Sequence, residues 1–295
     1  MPEDVRLAVE AMGTRFELVM YGADRVQLRA AGEEALAEIA RLHRQLSRYD
    51  RASDISWINA HAASAPVVVE PQLFDLLDRC RRLSVATAGA FDITVGALMQ
   101  AWSAQHEQSI IGRAGGVDAA TWETARHAVG FEHLRLDPAR RTVAFARRGM
   151  AIDLGAAGKG YAIDAAIDVL RAHGVSRAIL HGGTSSVHGL GQSPDGAGWR
   201  IAWDAPGASR HYVMLHDGAL SVSAAHGKTF DLDGKAFGHV MDPREGHPAA
   251  AACAAVVTGP RSFECDALST ALLVQGASWI STLRVEFPGY DGAVA

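Results

Sequence analysis

Ala151-Ile152-Asp153-Leu154-Gly155-Ala156-Ala157-Gly158-Lys159-Gly160-Tyr161, running on to Gly174, is the stretch on which the fold turns. It reads as a short apolar strand at 151–154, a glycine-rich turn, and a helix that stops near Gly174. Repetition of that unit along the chain would give a doubly wound parallel sheet. The chain continues instead into a run of strands, expected at 177–181, 186–190, 199–205, 211–215 and 219–223. The Asp-Gly pair in His216-Asp217-Gly218 predicts a tight hairpin joining the last two. A further buried strand is expected at 251–258, ahead of a helix that carries Asp266. Strands and helices mix without strict alternation, so the expected class is α+β with mixed antiparallel sheets and packed helices.

Upstream, 15–21 alternates enough to be a strand, entered from Met12-Gly13-Thr14. Leu28, Ala31, Ala35, Leu36, Ile39, Leu42 and Leu46 recur at three- and four-residue steps and predict an amphipathic helix. The segment 47–59 is polar and turn-rich, with Tyr49 and Trp57 inside it. Pro71 suits the first position of a second helix running towards Gly89. A helix and a mobile loop are expected within 103–130, and a hairpin at 134–137 and 142–145. No repeat or clear linker interrupts the chain, so 1–295 reads as a single catalytic unit, with two intimate lobes as the alternative.

At 295 residues the chain has ample length for a core, and 48% hydrophobic with 21% charged residues is ordinary globular composition. A formal net charge of -5 argues against a nucleic-acid surface, which needs a basic stripe. The three cysteines Cys80, Cys253 and Cys265 form no CxxC, so neither a disulfide framework nor a cysteine metal site is supported. The first residues have no apolar signal core, and no stretch approaches the roughly 18 apolar residues needed to span a bilayer. The expectation is a cytoplasmic protein, or an extracytoplasmic one if the natural chain begins further upstream.

Asp266 and Thr270 stand four residues apart, so their oxygens share a helical face and can converge on a hard cation. A carboxylate among Ala267, Leu268, Ala271, Leu272 and Leu273 needs compensation, either from a metal or from another partner. The run around Lys159 fits an anion-binding turn, or equally a tight strand-to-helix turn with a solvated lysine. It is not a P-loop, because Gly160 stands where a Ser or Thr is required. Ala90-Phe91-Asp92 can wall a pocket with one polar anchor, or be an ordinary helix end with a surface aspartate. His239, three residues before Asp242, can remove a proton from an attacking hydroxyl or be a structural or exposed histidine, and Tyr49 can stack on an aromatic ring or be a half-buried loop anchor. No G-x-S-x-G elbow or H-E-x-x-H pair is present, which disfavours a serine hydrolase and a zinc protease.

Taken in order, these pieces resemble the ApbE family of FAD:protein FMN transferases. The matching residues are Met12-Gly13-Thr14 with Phe16, Ser47-Arg48-Tyr49, Ser53-Asp54-Ile55-Ser56 to Asn59, and Ala90-Phe91-Asp92 with Thr94-Val95-Gly96. Further on come Asp153-Leu154-Gly155, Gly158-Lys159-Gly160-Tyr161-Ala162, Gly182-Gly183, His239 with Asp242-Pro243, Gly246-His247-Pro248, and Asp266 to Leu272. The resemblance implies a T-fold-like architecture, FAD as donor substrate, magnesium (or manganese) as metal, and an acceptor protein with a Thr or Ser. It implies FAD contacts from Met12, Tyr49, Ala90, Phe91, Asp92, Asp153 and Lys159. It implies metal ligation by the Ala156 carbonyl with Asp266 and Thr270, and His239 as the base. The chain departs from the family pattern at Thr184, where an acid is common, and at Ser223-Ala224-Ala225, where Thr-Ser-Gly is common. An FAD pyrophosphatase and a non-catalytic FAD-binding protein are the competing readings.

Overall fold

The computed structural model describes residues 3–110, 119–204, 210–225, 229–232, 235–238 and 240–295. They form two compact units. The first comprises Met1–Gln45, Gly155–Ala224 and Ala251–Ala295; the second comprises Leu46–Leu154 and Ala225–Ala250. The α+β expectation holds: helices pack on sheets whose ladders are antiparallel throughout.

The first unit is built on a seven-stranded sheet. Its order is Glu3–Ala11, Thr14–Gly22, Ala178–Gly182, Ser186–Leu190, Gly218–Ala224, Ala254–Gly259 and Asp291–Val294. The helices Gly158–Ala172 and Ser262–Gln275 lie side by side against its centre. Arg25–Leu46 covers the first two strands, close enough that a Cβ on Gly32 would lie 2.4 Å from Met20 Cε and 2.7 Å from Leu7 Cδ1. On the opposite face, the ribbon Trp199–Trp203 with His211–Leu215 buries Trp199, Trp203 and Leu215 against Val187, Leu220 and Val256.

A sheet covered on both faces needs both alternating sets of side chains to be buried. Val187, Leu220 and Val222 supply the ribbon side with apolar bulk. The helix side of the same strands carries Ser186, His188, Ser221 and Ser223, each of which bonds to a residue of the Ser262–Gln275 helix. That polar stripe under an apolar helix is the feature around which the first unit's site forms.

In the second unit, Asp54–His61, Pro71–Ala86, Gly96–Ile110 and Ala119–His127 are helical. Pro71 occupies the first turn of its helix as its fixed φ favours. The sheet Val67–Val68, Thr142–Phe145, Leu134–Asp137 contains the expected hairpin. A ribbon joins Thr229–Leu232 to Lys235–Gly238.

Three expectations change. The strand at 151–154 reduces to one parallel bridge, Val95 to Ala151. Its extended backbone is held by a side chain instead: the Asn59 amide donates to Ile152 O at 3.0 Å and accepts from Ile152 N at 2.7 Å. Asp217-Gly218 makes no hairpin, because His211–Leu215 pairs with Trp199–Trp203 while Gly218–Ala224 pairs with Ser186–Leu190 and Ala254–Gly259. Asp217 does take the left-handed conformation expected of it, at φ 50°, to turn between the two sheets. The polar 47–59 segment contains the Asp54–His61 helix, capped by Ser53 through the amide of Ser56. Residues 3–11 form a full strand whose pattern of Val5, Leu7, Val9 and Ala11 is period two. The mobile loop expected within 103–130 falls partly on 111–118, outside the described residues.

Candidate functional site

In the first unit the site starts where the helix Gly158–Ala172 begins. Asp266, 3% exposed, sends its carboxylate to that point: Oδ2 accepts from the Gly160 amide at 3.0 Å. Lys159 Nζ lies 3.9 Å from Oδ1. The compensation demanded by a carboxylate on an apolar helix therefore comes from an ammonium and a helix N-terminus. The Ser221 hydroxyl lies 3.1 Å from Asp266 Oδ1 and 3.1 Å from Ser185 O, with a single proton to give. Ser186 Oγ approaches Oδ1 at 3.5 Å and Ser221 Oγ at 3.2 Å.

Asp266 is the fifth residue of its helix, which starts at Ser262 with Arg261 as N-cap. Thr270 Oγ1 lies 3.3 Å from the Asp266 main-chain oxygen and 3.1 Å from Ser223 Oγ, which also meets Ser269 Oγ at 2.8 Å. The Asp266 carboxylate, the Thr270 hydroxyl and the neighbouring serine hydroxyls are all oxygen donors, chemistry that suits a hard divalent cation. Ala156 is half-buried in the turn before the helix. Among the described residues, no three His, Cys, Asp or Glu side chains gather as a metal cluster. The Asp266 carboxylate and the Thr270 hydroxyl are donors of the kind magnesium takes, few from the protein with phosphate and water completing its shell.

Met12, in the same unit, occupies the first place of the two-residue turn between paired Ala11 and Thr14, at φ 51° with Gly13 at 71°. These signs match the type I′ turn that suits the twist of a hairpin. Its amide donates to His43 Nδ1 at 3.1 Å. Gly183, at φ 64°, has no room for a Cβ, which would stand 2.2 Å from Thr14 Oγ1.

In the second unit, Tyr49 is 79% exposed and therefore offers a ring face. Arg48 holds it, with its guanidinium 4.4 Å from the ring centroid and Nη2 donating to the phenol oxygen at 2.7 Å. Arg48 is in turn held by Asp153, at 2.8 Å with both side chains largely buried. Asp153 thus orients the aromatic platform through an arginine that sequence reasoning quoted only as part of a motif.

Ala90 and Phe91 are buried core side chains. The buried Asp92 carboxylate accepts from the Thr94 amide at 2.8 Å, the Thr94 hydroxyl at 2.7 Å and the Phe131 amide at 3.0 Å. It ties its loop to the segment before Leu134–Asp137. Burial pushes its pKa up from 3.8 to about 6, against the pull of those hydrogen bonds. The folded state therefore holds a proton between about pH 4 and pH 6 that the unfolded chain has released, and this contribution to stability is lost as pH rises through that window. Relative to Asp92→Asn, the wild type should gain roughly 3 kcal/mol as pH falls from about 7 to about 4. Paired urea melts check this, and a pH-independent difference would refute it. His239 lies outside the described residues.

The hydroxyls of Ser186, Ser221 and Ser223 went unnoticed in the sequence. Their signal is polar residues at alternate positions of strands otherwise buried on both faces.

Helices packed on antiparallel sheets, with an ammonium–carboxylate pair at one helix start, define the chain as an α+β protein. The ApbE family model matches residues 12–290, and the chain belongs to that family. A relative from Treponema pallidum, named FAD:protein FMN transferase, is 31% identical over 280 residues, covering 90% of this chain and 76% of its own. A relative of the same name from Vibrio cholerae is 29% identical, covering 93% and 82%. Among solved structures, the ApbE protein of Thermotoga maritima superposes with a TM-score of 0.86 at 25% identity, covering 99% of this chain and 94% of its own. The flavinyl transferase ApbE of Pseudomonas stutzeri gives 0.82 at 25%, covering 100% and 95%.

Proposed function

We propose that this chain is a magnesium-dependent FAD:protein FMN transferase. It takes FMN from FAD and joins it through a phosphoester to a Thr or Ser of an acceptor protein, releasing AMP. The observation that carries this reading is the Lys159–Asp266 pair at the start of the Gly158–Ala172 helix, in a chain matched to the family over 12–290. Both the transfer and its donor pyrophosphate concentrate negative charge, which an ammonium beside helix amides stabilises. Bound through Asp266, Thr270 and the Ala156 carbonyl, a magnesium ion would supply further positive charge to phosphate oxygens.

The residues have divisible tasks. Lys159 faces the phosphates, and Asp266 holds Lys159 and the Gly160 amide in place. Tyr49, braced by Arg48 and Asp153, presents a ring face for the flavin or adenine. Met12, Ala90, Phe91 and Asp92 shape the loops that receive the donor. His239 takes the proton of the acceptor hydroxyl, a contribution of roughly a hundred- to ten-thousand-fold for a general base.

The test is covalent flavin on a co-expressed acceptor, read by fluorescence and mass. The wild type should add the mass of FMN less one water to a Thr or Ser, and His239→Ala should bind FAD yet lose transfer at least about a hundredfold. Free FMN and AMP formed without acceptor, and no labelled protein, would replace the transferase by an FAD pyrophosphatase. An unchanged transfer rate in His239→Ala would remove the base from the mechanism.

A further inference from the structure

We propose that Asp164 is a positioning residue for this reaction, acting through a reciprocal cap between two helices. The inference rests on the reading of Lys159 and Asp266 as the donor-binding pair. Asp164 belongs to the Gly158–Ala172 helix and is 2% exposed. Its carboxylate reaches across to the start of the other helix, where Oδ1 accepts from the Ser262 amide at 2.8 Å and Oδ2 from the Phe263 amide at 3.0 Å. Asp266, on that other helix, does the converse through the Gly160 amide. Each helix therefore carries the carboxylate that satisfies the orphan amides at the N-terminus of its neighbour. No side chain of either N-cap residue does this, since Ala157 and Arg261 make no side-chain cap.

The two caps are one mechanical element. Gly160 lets the helices meet, and a Cβ there would stand 2.2 Å from Ser262 O. Ser262 is further fixed by His188 Nδ1, 3.1 Å from its hydroxyl. Asp164 thus sets where the Ser262–Gln275 helix begins, and Asp266 follows one turn later. Displacement of that helix start moves Asp266 away from Gly160 and Lys159. Arg261 bridges Asp164 at 3.3 Å and the half-exposed Asp168 at 2.8 Å, which provides an internal control. Asp168 shares the arginine but caps no amide.

The experiment compares the full-length wild type with Asp164→Asn and Asp168→Asn by amide hydrogen exchange and by steady-state transfer. Asp164→Asn should speed exchange at Ser262 and Phe263 and, through the partner helix, at Gly160 by about tenfold or more. Its kcat should fall about ten- to a hundredfold while KM for FAD stays within about threefold, because a misplaced group weakens the transition state more than donor binding. Asp168→Asn should leave exchange and kcat near wild type. Unaltered Gly160 exchange in Asp164→Asn, equal effects in the two variants, or a rise in KM with kcat intact would each overturn the proposal. If Asp164→Asn fails to fold, Asp164→Glu retains the charge and is held to the same criteria. Exchange reports the cap even in a protein that transfers no flavin, so failure of the cap and failure of the transferase reading are separable.

Discussion

Replacing Asp266 by asparagine is expected to lower FMN transfer by about a hundredfold or more, and replacing it by alanine to destabilise the first unit as well. The asparagine keeps the shape and an oxygen for the Gly160 amide but removes the negative charge that faces Lys159 at 3.9 Å. A carboxylate that holds a cation facing developing phosphate charge acts through that cation, whose stabilisation of the transition state is worth several kcal/mol. At about 1.4 kcal/mol per tenfold, its loss gives the predicted factor. Alanine does more damage. It leaves the buried Gly160 amide without its acceptor, while Ser221 and Ser186 fall back on Ser185 O and on each other. An unsatisfied buried donor costs about 1–3 kcal/mol. Lys159 retains some solvent contact, which moderates the penalty for its unpaired ammonium. The net loss should be near 3 kcal/mol, read as a drop in the denaturation midpoint at unchanged m-value. Wild-type transfer by Asp266→Asn would show that the carboxylate is only a cap.

Much of this fold was legible because its strands and helices bury one face in a regular period. The helix Pro71–Ala86, the hairpin Leu134–Asp137 with Thr142–Phe145, and the strand Thr14–Gly22 were readable from pattern alone. Illegible parts had a common cause: the partner of the segment lies far off in sequence. Ile152 is held extended by the Asn59 amide, 93 residues away, so a local reading sees a strand where there is a single bridge. Asp217-Gly218 has the chemistry of a tight hairpin, yet strands from elsewhere take both of its flanks.

The site behaves likewise. Asp266 and Lys159 announced themselves by residue type, but the serines that surround the carboxylate look like unremarkable strand residues until Ser221 is found 3.1 Å from it. Arg48 could be read only as a motif letter, since its role comes from Asp153, more than a hundred positions later.

Gly160→Ala is expected to destabilise the protein by about 1–3 kcal/mol and to abolish transfer, against the sign that helix propensity alone would give. In an unobstructed helix interior, alanine is more favourable than glycine by about 1 kcal/mol. Here the added methyl would stand 2.2 Å from Ser262 O, 2.7 Å from Ser262 C and 2.8 Å from Asp266 Cβ. Two of those atoms are backbone, so the helices must separate, and overpacking of this kind costs about 1–3 kcal/mol. Separation also stretches the bond from the Gly160 amide to Asp266, 3.0 Å in the native protein, and with it the approach of Lys159. The measurement separates two meanings of a glycine beside a lysine. If its smallness served a phosphate, alanine would raise KM for FAD and leave the melting temperature alone. Because its smallness serves the contact between two helices, the melting temperature should fall in the absence of FAD, and transfer should fail with it. A more stable Gly160→Ala protein would mean that the two helix starts do not meet as described, and the electrostatic arrangement built on their contact would go with them.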